Sequence, residues 1–473
     1  MRNTGDEYFD SSEFQEMLDA YEQTVSAGGT VFLDAEELAS IADYYQYTGQ
    51  RDEAEEAITL AMSLSPGAIA PLTYRIHEAL YEGDTERAWQ MFDQIIETDA
   101  PDYVYDRAEI MLAEGRTEEA DEYLREQFKT VPPEEYQDYV MDVAQLFLDY
   151  GQYEKAMEWM MRAKQEDTPE YKELVARSLF GLGKYKESER LFNELVDTDP
   201  FSKDYWNGLA SAQYMGEDFS GAVQSSEYAI AIDPKDPDGL IAKANSLERL
   251  DNYEEALKYY ERYSEQVPDD AFGWLHQGVC LINMSRYEQA LERLKSGIET
   301  TFDDSPLLAE LYQEMAFSYN ELGRHDEALD CMNRTDTLEC DHTQMTVVKG
   351  HVLLSGGHIE EAEAHFKKAM EQSTSPKHTM LRITVSLYDN GFLEPAYLLL
   401  KKLFGTTDEP FEEGYAYMAL CCYDLKRDDE FLFYLKKACA CNPVECKQVL
   451  SHLFPEHVAP EAYYKYVTEN KKE

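Results

Sequence analysis

The amino-acid sequence predicts an all-α fold, an α-solenoid of about twelve helical hairpins with capping helices at both ends. A small residue in a Gly-x-Tyr-x-x-Ala-like signature recurs about every 34 residues, a spacing typical of helix-turn-helix repeats. Because each repeat contacts only its neighbours, the length of 473 residues reflects the number of repeats and not a number of globular domains. It leaves no room for a separate catalytic domain. The recurring positions are Ala54, Ala88, Ala120, Ala156, Ser188, Ala222, Ala256, Ala290, Ala328, Ala362 and Ala396, with the larger Phe431 last.

Turn and helix-end residues recur in the same register. Glycine predicts a turn that needs a positive φ angle, and proline predicts the end of a second helix because it cannot continue the hydrogen-bond ladder. An aromatic residue three positions before the small residue fills the hairpin. The turn glycines are Gly49, Gly83, Gly115, Gly151, Gly183, Gly323, Gly357 and Gly391; the prolines are Pro66, Pro132, Pro200, Pro234, Pro268 and Pro443; the aromatic residues are Tyr153, Tyr185, Phe219, Tyr253 and Tyr287.

The repeat that runs from Asp236 to Pro268 holds Ala244 and Ala256 at its eighth and twentieth positions. With the turn and proline marks, this spacing resembles the tetratricopeptide repeat (TPR) family over about residues 35 to 445. In that family, two antiparallel helices approach closely through small side chains at these positions. The resemblance implies a right-handed TPR superhelix, a non-enzymatic scaffold or adaptor in which the first helix of each hairpin lines the concave wall.

Both ends of the repeat array are expected to carry capping helices, because an uncovered hairpin face would aggregate. The predicted organisation is an N-terminal half repeat over 1–34, a tandem solenoid over 35–443 and C-terminal capping helices over 444–473. For the last segment, a mobile docking tail is the alternative to a cap. Four apolar residues share one face of the predicted N-terminal helix: Phe14, Leu18, Tyr21 and Val25.

Two places depart from the regular period, and we expect the stack to bend or change its packing there. The segment 300–306 predicts a lengthened loop, with Ser305 as the helix cap and Pro306 in the first turn of the next helix. The last repeat has Phe431 in place of a small residue and Lys426 at the turn. This combination predicts a splayed or differently packed hairpin.

The charge of the chain limits the kinds of partner it can have. Its 95 acidic residues outnumber the 42 basic ones, and the formal net charge is −53. Such a field repels nucleic-acid phosphates and anionic lipid, so we expect neither nucleic acid nor membrane as a partner. The acidic surplus has two interpretations: a solvated outer face, or an electrostatic patch that attracts basic partners.

Several observations predict a soluble, cytoplasmic protein without catalytic activity, cofactor or metal. Residues 1–10 lack the apolar stretch of a signal peptide, and no apolar run of about 18 residues could span a membrane. No phosphate loop, zinc-protease or nucleophile-elbow motif occurs. The eight cysteines favour reduced, partly buried thiols. The alternative is a regulatory module that binds a metal or small ligand near Cys439, Cys441 and Cys446.

The resemblance to TPR proteins places a candidate binding surface at repeat positions 2, 5, 9 and 12 of the first helices. An acidic wall with amides and aromatic rings suits an extended basic peptide, because amides pair with peptide backbone and carboxylates hold Lys or Arg. The candidate partner-binding residues are Glu173, Arg177, Asn207, Tyr214, Asn245, Arg249, Phe317 and Asn320. The alternative for each residue is solvation or packing between repeats.

The predicted function is therefore protein–protein interaction, with a protein or an extended peptide as the partner. One TPR subclass grips a C-terminal carboxylate with Lys, Asn and Arg. Here Asp204 and Glu248 stand beside the groove asparagines, so that role is disfavoured. A self-assembling structural protein is a further alternative, although the sequence does not indicate homo-oligomers.

Overall fold

Helix-forming segments separated by short turns make up most of the structure. The computed structural model describes residues 8–9, 11–29, 31–164, 167–302, 305–405, 411–455 and 457–470. Within these residues the fold is all-α, with 27 α-helices and no β-strand, as the sequence predicts. None of the described helices combines the length and the apolar character needed to cross a lipid bilayer.

The chain divides into two compact units, and the first is Met1–Asp218. Its helices are α1 (Ser12–Ser26), α2 (Ala35–Tyr47), α3 (Arg51–Leu64), α4 (Ile69–Tyr81), α5 (Thr85–Phe92), α6 (Pro101–Ala113), α7 (Thr117–Phe128), α8 (Tyr136–Asp149), α9 (Tyr153–Met160), α10 (Pro169–Gly181), α11 (Tyr185–Thr198) and α12 (Lys203–Met215). After α1, the pairs from α2/α3 to α10/α11 are packed hairpins.

The second unit is Phe219–Glu473. Its helices are α13 (Phe219–Ile232), α14 (Pro237–Arg249), α15 (Tyr253–Gln266), α16 (Ala271–Asn283), α17 (Tyr287–Thr300), α18 (Leu307–Glu321), α19 (His325–Arg334), α20 (His342–Ser355), α21 (Ile359–Gln372), α22 (Pro376–Asp389), α23 (Leu393–Gly405), α24 (Tyr415–Asp424), α25 (Asp428–Cys441), α26 (Pro443–Leu450) and α27 (Tyr463–Asn470). The pairs from α14/α15 to α24/α25 are packed hairpins.

Close packing within the hairpins depends on the recurring small residue. The eleven recurring small residues, from Ala54 to Ala396, are each at most 2% exposed. Their first-helix counterpart in one repeat, Ala244, is fully buried. In α16 the counterpart is Gly278, where an added Cβ would lie 2.5 Å from a methyl carbon of Leu294. The predicted register of small residues is therefore confirmed.

The turn and helix-end predictions are also confirmed. All eight predicted turn glycines have positive φ angles, between 67° and 82°. Where glycine is missing from the second unit's turns, Asp251, Ser285 and Lys426 adopt φ angles of 58° to 59° instead. The predicted prolines follow the ends of second helices; α15, for example, ends at Gln266, just before Pro268.

Helices cover the exposed hairpin face at each end of the array. Phe14, Leu18 and Tyr21 of α1 are buried in one cluster with residues of α2 and α3, whereas Val25 is 40% exposed because it lies in the last turn, beyond that cluster. At the other end, Glu445 of α26 accepts hydrogen bonds from backbone N–H groups at the start of α24, at 2.6 and 3.2 Å. The predicted cap segments, 1–34 and 444–473, stay predictions.

The longer loop between α17 and α18 does not interrupt the core. The Ser305 hydroxyl accepts a hydrogen bond from the Leu307 N–H at 3.3 Å, and Pro306 takes the N-cap position instead of the predicted first turn. One hydrophobic cluster joins α16 through α20, so the core is continuous across the loop, and the expected bend there stays a prediction. Two residues of the predicted loop, Asp303 and Asp304, lie outside the described residues.

The last hairpin is closed and not splayed. Phe431 is 5% exposed, and its ring centroid lies 5.4 Å from that of Tyr423. Helices α24 and α25 pack along their length, with the ring in one cluster with the small Ala419. Lys426 adopts the same left-handed turn that glycine adopts elsewhere.

Candidate functional site

Four successive first helices of the second unit form the walls of one cavity. It has a volume of about 450 Å³ and lies among α18, α20, α22 and α24. Its apolar lining consists of Phe317, Val347, Val348, Val352, Leu381, Val385 and Tyr417. Its polar lining consists of Gln313, Glu314, Asn320, Gln344, His351, Arg382, Ser386 and Asp389. An apolar floor with a few polar groups is the usual character of a ligand site.

Helix periodicity explains why these side chains face one cavity. In α18, Gln313, Phe317 and Asn320 are four and three residues apart, so they lie on one helical face. In α20, Val347 and His351 occupy the equivalent register. Because successive hairpins stack in parallel, their first helices present the same face side by side.

Amide groups link two of the cavity walls. The side-chain N–H of Gln344 on α20 donates to Oε1 of Gln313 on α18 at 3.0 Å. Gln313 in turn donates to Oε1 of Glu314 at 3.3 Å. The guanidinium of Arg382 is half exposed and lies 3.6 Å from a carboxylate oxygen of Asp341. The cavity therefore offers hydrogen-bond donors and acceptors beside its apolar lining.

Burial changes the ionisation of the cavity's titratable groups. It raises the pKa of Glu314 and raises the pKa of Asp389 to about 6, because a low-dielectric surrounding disfavours the carboxylate. Burial also lowers the pKa of His351, which disfavours the imidazolium. A cationic group brought into this cavity would face the acidic side chains of Glu314 and Asp389, a neutral imidazole and the guanidinium of Arg382.

A second cavity, of about 400 Å³, lies on the first-helix wall of the first unit. Arg177 of α10 reaches into it beside Phe180 and Phe192. Its guanidinium donates to Oε1 of Gln145 at 3.1 Å and lies 3.6 Å from Asp149. Burial raises the pKa of Asp149, an effect that the neighbouring arginine partly opposes.

Three titratable side chains meet elsewhere on the same wall, on α4 and α6. His77 Nε2 lies 3.1 Å from Oε2 of Glu109 and 3.8 Å from Oδ1 of Asp106. Burial would lower the pKa of His77, but Glu109 and Asp106 raise it overall. Burial raises the pKa of Asp106 to about 7. Burial would also raise the pKa of Glu109, but the contact with His77 lowers that pKa overall.

The structure brings together some of the predicted partner-binding residues. Phe317, which is 40% exposed, and the nearly buried Asn320 line the large cavity of the second unit. A carboxylate oxygen of Glu173 lies 4.0 Å from the guanidinium of Arg177, and burial raises the pKa of Glu173. Arg177 lines the second cavity, whereas Glu173 contacts Arg177 from outside the lining.

The other predicted residues have different surroundings. Asn207 and Tyr214 are half-buried on α12 and line neither cavity. Asn245 accepts a hydrogen bond from the Tyr260 hydroxyl at 2.6 Å, so its amide is engaged within its own hairpin. The exposed Arg249 places its guanidinium 4.7 Å from the ring centroid of Phe219.

Several residues of these walls were absent from the sequence-based set of partner-binding residues. They are His77, Asp106 and Glu109 in the first unit, and Gln344, His351, Arg382 and Asp389 in the second. The signal that finds most of them is the repeat register itself. His77, Glu109 and His351 all stand at repeat position 9, where Arg177 and Phe317 also stand.

The cysteine-rich end does not form a metal-binding group in the described part of the chain. Cys421, Cys422 and Cys446 are fully buried and Cys439 is 7% exposed, within a hydrophobic cluster. Among the described residues, the side chains close enough together to hold a metal ion are His77, Asp106 and Glu109 instead. These four thiols pack as small apolar core residues, whereas Cys441 is exposed.

Family models for the tetratricopeptide repeat match four parts of the chain. The matched residues are 38–67, 78–179, 176–237 and 215–276. A curated relative, the protein O-mannosyl-transferase TMTC1 of Mus musculus, is 26% identical over 138 residues. That match covers 26% of this chain and only 15% of the relative.

Solved structures with similar folds include a tetratricopeptide repeat protein from Parabacteroides merdae, 16% identical with a TM-score of 0.42, covering 54% of this chain and 99% of that one. The APC/C hetero-tetramer Cut9–Hcn1 is 15% identical with a TM-score of 0.39, covering 83% and 76%. The MamA protein is 17% identical with a TM-score of 0.34, covering 37% and 92%. The family matches and the confirmed repeat register lead to one conclusion: the chain is a tetratricopeptide repeat protein.

Proposed function

We propose that this chain is a non-enzymatic scaffold or adaptor that binds an extended peptide segment of a partner protein along its first-helix walls. TPR proteins are generally protein-interaction scaffolds. The observation that carries the proposal for this chain is the cavity among α18, α20, α22 and α24, where four repeats contribute to one apolar floor with amides and charges around it. A peptide that lies across several first helices would contact the same face of each.

The cavity suits an apolar side chain of such a peptide. Phe317, Val348 and Val385 offer aliphatic and aromatic surface for it. Gln313 and Gln344 carry amide donors and acceptors that match peptide N–H and C=O groups. In this arrangement the buried side chain supplies affinity and the amides fix the direction of the peptide.

Electrostatics favours a basic peptide. Glu314 and Asp389 are carboxylates whose pKa burial raises, so a nearby Lys or Arg would stabilise their charged forms. On the first unit's wall, Glu173 and Asp149 have pKa values raised in the same way. The formal net charge of −53 would also speed the encounter with a cationic partner.

Among the candidate contacts, Phe317 and Asn320 are proposed to touch the peptide in the second unit. Glu173 and Arg177 are proposed to do so in the first unit. Asn207, Tyr214, Asn245 and Arg249 are proposed as contacts that become available when a partner displaces their present neighbours. The four residues of the first two pairs are the ones to test first.

The test is selection of a phage-displayed random dodecapeptide library against the full-length chain, followed by affinity measurement with a selected synthetic peptide. We expect basic peptides that carry one large apolar residue. Phe317→Ala should weaken binding at least about tenfold, because its ring is a large aromatic part of the apolar lining. Ile359→Ala is the matched control, since Ile359 is 52% exposed on a second helix and should leave binding unchanged.

Salt separates the electrostatic part of the proposal from the apolar part. The affinity should fall at least about tenfold between about 50 and 500 mM salt if carboxylates hold the peptide. A salt-independent affinity would contradict a basic partner. Failure to enrich any peptide, or equal effects of the two alanine variants, would contradict peptide binding at this cavity.

A further inference from the structure

The first unit carries a cluster of three potential metal ligands on two neighbouring first helices. His77 lies on α4, and Asp106 and Glu109 lie on α6. One ligand atom from each residue lies within 4.8 Å of the other two. Repeat stacking produces this proximity, since the residues are far apart in sequence but share one wall.

We propose that His77, Asp106 and Glu109 bind a divalent transition-metal ion of the zinc class. An imidazole with two carboxylates is a donor set that Zn²⁺ and Co²⁺ accept. Three protein ligands leave one coordination position for water or for a group of the partner. This inference is independent of peptide binding in the second unit.

Two of the three ligand-atom distances are close to those around such an ion, and the third, between the two carboxylates, is within 4.8 Å. Ligand bonds of about 2.0 to 2.2 Å in a tetrahedral site separate ligand atoms by about 3.4 Å. The distances from His77 Nε2 are 3.1 Å to Oε2 of Glu109 and 3.8 Å to Oδ1 of Asp106. These two values lie on either side of the required separation.

Residues outside the cluster hold each carboxylate by its other oxygen. The Thr73 hydroxyl donates to Oδ2 of Asp106 at 2.6 Å. The Tyr150 hydroxyl donates to Oε1 of Glu109 at 3.3 Å. The oxygens that face His77 are therefore Oδ1 and Oε2, while the partnered oxygens point elsewhere. Metal sites commonly orient their carboxylate ligands through such outer hydrogen bonds.

The charge of the cluster also favours a cation. Asp106 is only 2% exposed, and a carboxylate so deeply buried is unfavourable without a positive partner. A proton on His77 supplies one positive charge for two carboxylates. A divalent ion would supply the missing charge.

The competing explanation is a purely structural ion cluster, in which protonated His77 bridges the two carboxylates. Both explanations use the same contacts, so metal affinity separates them. Cobalt is the best probe, because thiolate ligands add a charge-transfer absorption that nitrogen and oxygen ligands lack. The background should carry Cys340→Ser and Cys441→Ser, since these two thiols are not buried.

The experiment is titration of the metal-stripped, full-length chain with Co²⁺, followed by absorption, and with Zn²⁺, followed by calorimetry. We expect one equivalent of metal with a Kd below about 100 µM and no thiolate band. His77→Gln and Glu109→Gln should each weaken binding at least tenfold. His358→Gln is the control, because the His358 side chain is 56% exposed in the second unit and lines neither cavity, so this variant should bind metal unchanged.

A variant that fails to fold would leave the ligand test open, so circular dichroism accompanies each titration. Thr73→Val removes only an outer hydrogen bond and should weaken metal binding about tenfold while keeping the three ligands. Weaker binding than about 100 µM, or an affinity that His77→Gln, Glu109→Gln and Thr73→Val all leave unchanged, would overturn the proposal.

Discussion

Single buried carboxylates on the first-helix walls couple the protein's stability to pH. Asp106 is the clearest case: it accepts a hydrogen bond from Thr73, faces His77 and Glu109, and is almost inaccessible to water. Burial raises its pKa to about 7, so the folded chain holds this proton more tightly than the unfolded chain does. The energetic role of Asp106 therefore depends on whether it is protonated.

The sign of the pH dependence follows from this difference. Between about pH 4 and pH 7 the unfolded state binds fewer protons, so the free energy of unfolding falls as pH rises. Asp106→Asn removes this titration and should stabilise the first unit at pH 8 by about 2 kcal/mol, with a smaller effect at pH 4. Amide hydrogen exchange of α4 and α6 in metal-free buffer measures it. The exposed Asp99→Asn should keep the original pH dependence; an unchanged slope in Asp106→Asn would contradict the account.

At the scale of the element, the hairpin turn requires a residue in the left-handed backbone conformation, whether or not that residue is glycine. The sequence predicted the glycine turns because glycine signals them directly. It predicted an irregular last hairpin from Phe431 and Lys426, yet both residues are accommodated there. Neighbouring helices fix the turn geometry, and a local pattern does not show how much strain tertiary packing can impose.

Ser285 gives a direct test of this turn strain. It is exposed with a φ of 58°, which costs a non-glycine residue about 1 kcal/mol, so Ser285→Gly should stabilise the second unit by about that amount. Ser296→Gly, the same change within α17, should destabilise it by about 0.5 to 1 kcal/mol. Urea unfolding compares the two. Destabilisation by Ser285→Gly would show that the turn is not strained.

At the scale of the whole molecule, the repeat period predicted the fold class, the buried small residues and the turns. The resemblance to TPR proteins implied which helices form the walls, and the repeat register then assigned one face of every first helix. The identity of the site residues was less predictable. Asn245 is engaged by Tyr260 and Arg249 by Phe219, and both contacts depend on three-dimensional packing.

The His77 cluster shows the same limit. His77 precedes Asp106 and Glu109 by nearly a full repeat, so no local motif connects the histidine with the acids. Repeat position 9 relates His77 to Glu109, but the outer hydrogen bonds from Thr73 and Tyr150 become visible only in the folded chain. Repeat register thus identifies the wall, while the chemistry of a site on it depends on the neighbours.

The central claim is that first-helix walls bind the partner, and hydrogen–deuterium exchange of the full-length chain with a selected peptide tests it most directly. The account predicts slower exchange in α18, α20 and α22 on binding, with little change in the second helices α19, α21 and α23. Protection confined to the second helices would contradict the claim.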